Sequence, residues 1–233
     1  MISLMVIFPG CLSSEPADVF YGDDISPPIP VDEFILIDEE GEYVAMSQFR
    51  GKVVVVAFLF TRCPDICPVV SANLAFIAEE LGEQHGSEVQ ILTVTVDPWT
   101  DNSTVLGDYA DSRSLHWPHL TGSVEELEPV WLNFDVGLTT YDTDLDDDGV
   151  ADGFDSCPDT PEGEEVDENG CGKETQQPEG DGTVKHHPLD YWVEHTTGTI
   201  IVDKQMNQRV WWADTEWNPE LVLEDIRTLI TEQ

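Results

Sequence analysis

Basic residues are scarce in this chain. Nine Lys and Arg stand against 48 Asp and Glu in 233 residues, a formal net charge of −39 at pH 7. A nucleic-acid binder needs a basic face, and so few cations cannot build one. The same scarcity weighs against docking on anionic lipid headgroups. Long apolar runs are also lacking. Residues 1–9 include Ile2, Leu4, Met5, Val6, Ile7 and Phe8, but the stretch is far too short to span a bilayer. Cysteines number five. They fall as one lone residue, Cys11, and two local pairs, Cys63 with Cys67 and Cys157 with Cys171. That distribution argues for three separate jobs rather than one disulfide framework.

The length fits one large domain, or a domain with a small module, and 40% apolar content suffices for a sizeable core. Part of the acid is concentrated over residues 142–181 and the rest is spread along the chain. Spread acidity suits a surface adapted to high ionic strength, where salt screens self-repulsion. Plain solubility at neutral pH is the alternative, and composition does not separate the two.

Gly10-Cys11 follows the apolar start, and a polar, acidic stretch runs over residues 13–24. An apolar segment, a small residue and then a cysteine is the order at the end of a lipoprotein signal, with Cys11 as the lipid anchor. No basic region precedes it, and Phe8-Pro9 departs from the usual Leu-small pair. The alternative is a frayed terminus with an incidental cysteine. One acyl chain holds weakly, so a stable anchor needs a second chain or an uncleaved helix. Residues 12–30 carry Pro16, Pro27, Pro28 and Pro30 and read as a tether. Residues 1–30 are thus expected to be signal remnant and tether, and residues 31–233 the folded domain. The expected location is extracytoplasmic and membrane-anchored, on the outer face of the cytoplasmic membrane or the periplasmic side.

Residues 33–38 read as a short strand, 39–42 as a turn, and 43–46 as a strand pairing back in a hairpin. Residues 52–60 are apolar on both faces and rich in β-branched side chains, as in a central strand covered on both sides. Val70, Leu74, Ile77 and Leu81 then recur at helical spacing, and the helix runs out near His85-Gly86. A strand over 88–96 ends at Asp97-Pro98. Asp101 or Asn102 can cap a helix through about Ser112. Ser123-Val124-Glu125-Glu126 is a capping box for a helix to about Phe134, which Pro129 should kink or shorten. Residues 136–141 read as a further strand. Residues 198–203 and 208–213 read as another hairpin, and Asn218-Pro219-Glu220 opens a last helix. The expected class is α/β. The element order is that of a thioredoxin-like fold with an N-terminal β-hairpin extension.

The strand-to-helix turn after the central strand holds Thr61-Arg62-Cys63-Pro64-Asp65-Ile66-Cys67-Pro68. Cysteines four apart around a helix start can point the same way, and the helix dipole with its unbonded N–H groups favours thiolate there. Arg62 adds positive charge and Asp65 opposes it. Two thiolates are soft ligands that select Cu(I), with an imidazole as the usual third ligand. A structural disulfide and a metal-free redox dithiol both remain open for the pair.

Phe60-Thr61-Arg62-Cys63-Pro64-Asp65-Ile66-Cys67-Pro68 resembles the signature of the Sco/SenC family of copper proteins. Further segments are similar in order: Thr95-Val96-Asp97-Pro98 with Asp101, His119-Leu120-Thr121-Gly122-Ser123, and Asp190-Tyr191-Trp192-Val193-Glu194-His195-Thr196. The resemblance covers roughly residues 30–140 and 185–230. It implies a thioredoxin fold binding one copper ion through Cys63, Cys67 and His195. It also implies delivery of that copper to the binuclear centre of cytochrome c oxidase, or to another cupredoxin-like recipient. The implied alternative is a thiol–disulfide oxidoreductase that keeps the centre's cysteines reduced, with Cys63 and Cys67 as the redox pair. A metallochaperone is not an enzyme in the usual sense. A peroxiredoxin-like peroxidase is disfavoured, because the paired cysteines with His195 match a copper site better than a lone peroxidatic thiol. Glu194 stands where the family has Asp. His85, His116, His119, His186 and His187 are read as bystanders, with His116 and His119 flanking Trp117-Pro118 in a loop.

Residues 144–155 place carboxylates at loop positions 1, 3, 5, 9 and 12, with Gly149 at 6. That is calcium-loop spacing, with Asp144, Asp146, Asp148, Asp152 and Asp155 as ligands and Val150 giving its carbonyl. Asp155 replaces the usual Glu, and no flanking helices are evident. The continuation through Cys157-Pro158-Asp159, Val166-Asp167 and Gly170-Cys171 resembles a thrombospondin type 3 repeat. That resemblance implies bound Ca²⁺ and a Cys157–Cys171 disulfide in an oxidising compartment. Residues 142–182 are therefore expected to be an irregular calcium-loop insert. A disordered acidic loop is the alternative.

Overall fold

The structure is a computed structural model that describes residues 20–64, 66–140, 160–161, 166, 172, 193–195, 198–213 and 217–232. For residues 138–140 and 193–195 the description is of the backbone. The strands are β1 (Asp23–Pro30), β2 (Ile35–Ile37), β3 (Tyr43–Ala45), β4 (Val53–Leu59), β5 (Val89–Thr95), β6 (His119–Leu120), β7 (Leu138–Thr140), β8 (Val193–His195), β9 (Gly198–Val202) and β10 (Asn207–Ala213). The helices are α1 (Cys67–Leu81), α2 (Ser103–Arg113), α3 (Val124–Asn133) and α4 (Pro219–Thr231).

Six strands form one sheet in the order β1-β10-β9-β4-β5-β6. The β4, β5 and β6 strands are parallel and the other pairings antiparallel. All seven residues of β4 are buried, as a doubly covered central strand requires. On α1, Val70, Leu74, Ile77 and Leu81 are buried, the face that the spacing predicts. That helix packs on β5 and on α4, and α4 also meets β4. Outside the main sheet, β2 pairs antiparallel with β3, and Ile37 bridges to Thr121 beside β6.

Local sequence signals account for the helix ends. The Asn102 side chain accepts the Val105 N–H at 3.1 Å. Ser123 and Glu126 form the reciprocal capping box. Asn218 accepts from Glu220 N and Leu221 N, ahead of Pro219. Pro129 does not end α3, which runs on to Asn133. Proline forgoes one intrahelical bond. Buried Leu127, Val130 and Trp131 hold the helix down, and Trp131 donates its indole N–H to the Thr95 carbonyl at 3.1 Å.

Residues 23–30 differ from the expected tether. They form edge strand β1, pairing with β10 from Asp23↔Trp211 to Pro30↔Asn207 across an irregularity between Asp24 and Ile29. Prolines are tolerated because one side of an edge strand needs no donors. The strand's entry is pinned from α4. The buried Asp225 carboxylate accepts the Tyr21 N–H at 2.8 Å, the Gly22 N–H at 2.9 Å and the Trp212 indole N–H at 3.0 Å. Gly22 lies so close to Trp212 that a Cβ there would sit 2.5 Å from the indole nitrogen.

Cys11, Asp65, Asp144, Asp146, Asp148, Val150, Asp152, Asp155, Cys157, Cys171, His186 and His187 lie outside the described residues. Within 142–182, Val166 and Gly172 form an antiparallel bridge. Among the described residues, no helix is long and apolar enough to cross a membrane.

Candidate functional site

The central strand β4 ends at Leu59, and the chain turns before α1 begins at Cys67. Pro68 suits that first turn because its missing N–H has no intrahelical partner there. Ile66, the N-cap, supplies no side-chain cap. The Cys67 N–H instead approaches the Cys63 sulfur at 3.4 Å. Cys63 therefore sits where the helix offers a backbone donor and partial positive charge, both of which favour thiolate. Cys67 is buried and Cys63 partly exposed, and the two are not joined in a disulfide.

A buried carboxylate holds the start of this turn. Asp101 accepts the Thr61 N–H at 3.0 Å, the Thr61 hydroxyl, and the Thr95 hydroxyl at 2.7 Å. Its own carbonyl takes the Thr121 hydroxyl at 2.6 Å. Burial raises the Asp101 pKa, and the bonds from Thr61 and Thr95, with the nearby Arg62 charge, work against that rise. The β5 exit, the cysteine turn and the segment after β6 are thereby tied to one side chain.

Asp97 lies beside this knot and is fully buried. Its N–H donates to the Thr95 hydroxyl at 2.9 Å. Neither carboxyl oxygen receives a hydrogen bond of normal geometry, although Thr100 is near enough to favour the charged form slightly. Burial, then the neighbouring Asp101, push its pKa up to about 7, with Thr100 and Arg62 opposing.

On α2, the buried Tyr109 hydroxyl shares a 2.8 Å hydrogen bond with Ser71, one turn beyond Cys67 on α1. Burial, chiefly, raises the Tyr109 pKa, and the thiols of Cys67 and Cys63 add to the rise. The phenol is thus within electrostatic reach of both sulfurs. Behind it, His119 is buried in β6 rather than in a loop. It shares a 2.6 Å hydrogen bond with Thr93 through Nδ1, and its ring stacks on Trp117 with centroids 5.7 Å apart. Burial drives its pKa down to about 4, so it is neutral at pH 7. His85 is also pushed below its usual range, by burial first and then by His116.

His195 ends β8, with its backbone opposite Leu138 of β7. The register of the main sheet locates this ribbon. Ala57 of β4 faces Thr199 of antiparallel β9. The chain just before Gly198 and the chain just after Leu59 therefore leave the sheet at the same end. Backbone topology brings the His195 strand to the end that carries Cys63 and Cys67. Among the described residues no three His, Cys, Asp or Glu side chains converge as a metal site. The largest cleft described, about 270 Å³, holds neither cysteine; Val136 and Gly198 line it, next to the β7–β8 ribbon.

The sequence pattern described as SCO1/SenC matches residues 23–155. The chain belongs to that family. The matched span begins with β1, takes in Cys63 and Cys67, and ends before His195. "Protein SCO2 homolog, mitochondrial" of Bos taurus is 33% identical over 121 residues, 52% of this chain and 46% of that protein. The chain thus spans about half the length of the curated relatives it matches. Apo Sco1 from Thermus thermophilus, in solution, superposes with a TM-score of 0.62 at 26% identity, covering 90% of this chain and 96% of that one. Copper-bound yeast Sco1 superposes at 0.60 and 20% identity over 88% and 91%, a likeness of fold. The fold is accordingly mixed α/β and matches Sco structures. Asp97, Asp101 and Tyr109 gained no role from sequence reasoning; the segment holding Asp97 and Asp101 was the one available signal.

Proposed function

We propose that this chain carries copper outside the cytoplasm, holding one ion through Cys63, Cys67 and His195. The recipient is the binuclear copper centre of cytochrome c oxidase, or another cupredoxin-like site. The observation that carries the reading is the shared exit: the cysteine turn and the His195 strand leave the same end of the main sheet. Copper bound to yeast Sco1, a protein of the same fold, supports the cargo. Two thiolates and an imidazole suit Cu(I). The partly exposed Cys63 suits release by ligand exchange. The decisive experiment is copper titration of the reduced protein. One tightly bound ion per chain, lost in His195→Ala and in Cys63→Ser, is the expected result. Copper-independent disulfide exchange that survives His195→Ala would replace this reading with the reductase.

The reductase has one observation of its own. The Cys67 N–H directed at the Cys63 sulfur favours a nucleophilic thiolate on the exposed member of the pair.

The remaining assignments rest on sequence spacing. Residues 142–182 form a thrombospondin type 3-like insert within the 31–233 domain. It takes Ca²⁺ through Asp144, Asp146, Asp148, the Val150 carbonyl, Asp152 and Asp155, and is closed by Cys157–Cys171. Cys11 anchors the chain by lipid, with the residues after it as tether. The insert shapes partner access. Its removal leaves copper affinity intact and changes transfer to the recipient; a collapse of affinity on removal sinks that role.

A further inference from the structure

Arg62 is the residue on which this inference turns. It lies between the Asp101-bound Thr61 and Cys63. Its charge acts on Asp97 and on Asp101, two carboxyls buried at the β5 exit. The β4 and β5 strands leave the sheet side by side, with Val96 donating to the Leu59 carbonyl at 3.0 Å. Asp97 therefore follows directly on the strand pair whose other member leads into the cysteine turn. The two carboxyls are not equivalent. Asp101 is saturated by hydrogen bonds from Thr61 and Thr95. Asp97 has neither oxygen hydrogen-bonded. A buried carboxyl in that condition is the one that changes protonation most readily, because no donors hold it in the charged form. The groups facing it are Asp101 and Thr100 on the β5–α2 connection and Arg62 on the cysteine turn.

We propose that Asp97 is a positioning residue for the Cys63–Cys67 pair that acts through Arg62. Neutral, it leaves the guanidinium charge available to the thiolates. Ionised, its proton released to solvent, it takes up part of that charge and weakens the hold on an anionic ligand pair. The Asp97 titration lies near neutral pH, so the switch operates where a carrier must both load and release. It rests on the copper reading only for its consequence, since the Asp97–Arg62 couple exists whatever the thiols bind.

The test has two arms. In the first, the carboxylic acid carbonyl band of Asp97 is followed by infrared difference between wild type and Asp97→Asn across pH. A midpoint near neutrality, moved upward by Arg62→Gln, is expected. A midpoint in the ordinary carboxylate range, or one that Arg62→Gln leaves in place, overturns the proposal. In the second arm, Cu(I) affinities of wild type and Asp97→Asn are compared by chelator competition. The amide mimics the neutral acid, so the two proteins should agree one unit below the midpoint. One unit above it, wild type should bind about threefold more weakly, as expected for one partly screened charge. A constant affinity ratio across that range overturns the link to the cysteines and leaves a merely structural Asp97. If neither protein binds Cu(I), the copper reading fails alone, and the first arm still decides the Asp97–Arg62 couple.

Discussion

The backbone N–H of Thr61 donates to the Asp101 carboxylate at 3.0 Å, across 40 residues of chain. The same carboxylate holds the Thr61 and Thr95 hydroxyls. Asp101→Ala leaves three buried donors without an acceptor. The expected loss is roughly 2–5 kcal/mol, since each stranded donor costs about 1–3 kcal/mol and relaxation recovers part. Thr61→Val removes one hydroxyl bond and should cost about 1 kcal/mol. Urea unfolding measures both. Faster amide exchange at Thr61 and Arg62 in Asp101→Ala would tie the loss to the cysteine turn. Equal effects of the two substitutions would mean that Asp101 does not organise it.

Much of this architecture was legible because local and global signals agree. The apolar run at Val53–Leu59 has no polar face to present, so it had to be central. The caps at Asn102, Ser123 and Asn218 announce themselves by residue type. Edge strand β1 did not, because Pro27, Pro28 and Pro30 read as an extended linker and its partner β10 lies nearly 180 residues later. The short β6 strand escaped for another reason: two residues carry no periodicity, and His119 is buried by neighbours that are remote in sequence. At the site, the cysteine pair was plain from spacing alone. The different states of Asp97 and Asp101 were not, since they depend on which of the two Thr61 and Thr95 reach.

His119 makes the fold acid-sensitive over a defined window. Its imidazole is buried with Nε2 lacking a partner, and its pKa falls from 6.5 to about 4. A depressed histidine contributes stability that is complete above the unfolded value and is lost as pH falls toward the folded one. Wild type should therefore lose up to roughly 3 kcal/mol between about pH 6.5 and 4 through this group. His119→Phe keeps a ring against Trp117 and removes the titration. Subtracting the two stability curves cancels every other carboxyl and histidine. A difference that stays flat across the window would show that protonated His119 is accommodated.

The Asp225 clamp on residues 21 and 22 makes β1 part of the folded domain. Asp225→Ala strands two backbone donors and the Trp212 indole N–H, at an expected cost of about 2–4 kcal/mol. Truncation adds a cleaner comparison. A chain starting at Phe20 should unfold at nearly the temperature of the full chain. One starting at Val31 should be far less stable and should self-associate, because it uncovers the edge of β10. If the shorter chain melts like the longer one, residues 20–30 are a tether after all.

The net charge of −39 makes stability depend on salt. Few cations are present to offset the carboxylates. Among the described residues, the ion pairs are Arg209 with Asp203 at 3.3 Å and Glu232 at 2.7 Å, and Arg227 with Glu224 at 2.9 Å. The remaining acid repels itself over distances that salt shortens, from about 10 Å at 0.1 M to about 3 Å at 1 M. The melting temperature should rise steeply with sodium chloride over that range at pH 7. Screening and general salting-out both predict a rise, and pH separates them. Near pH 4, where exposed carboxylates are partly protonated, screening has less charge to act on and the rise should shrink. An equal rise at both pH values would assign the effect to salting-out and remove self-repulsion as the force that high salt relieves.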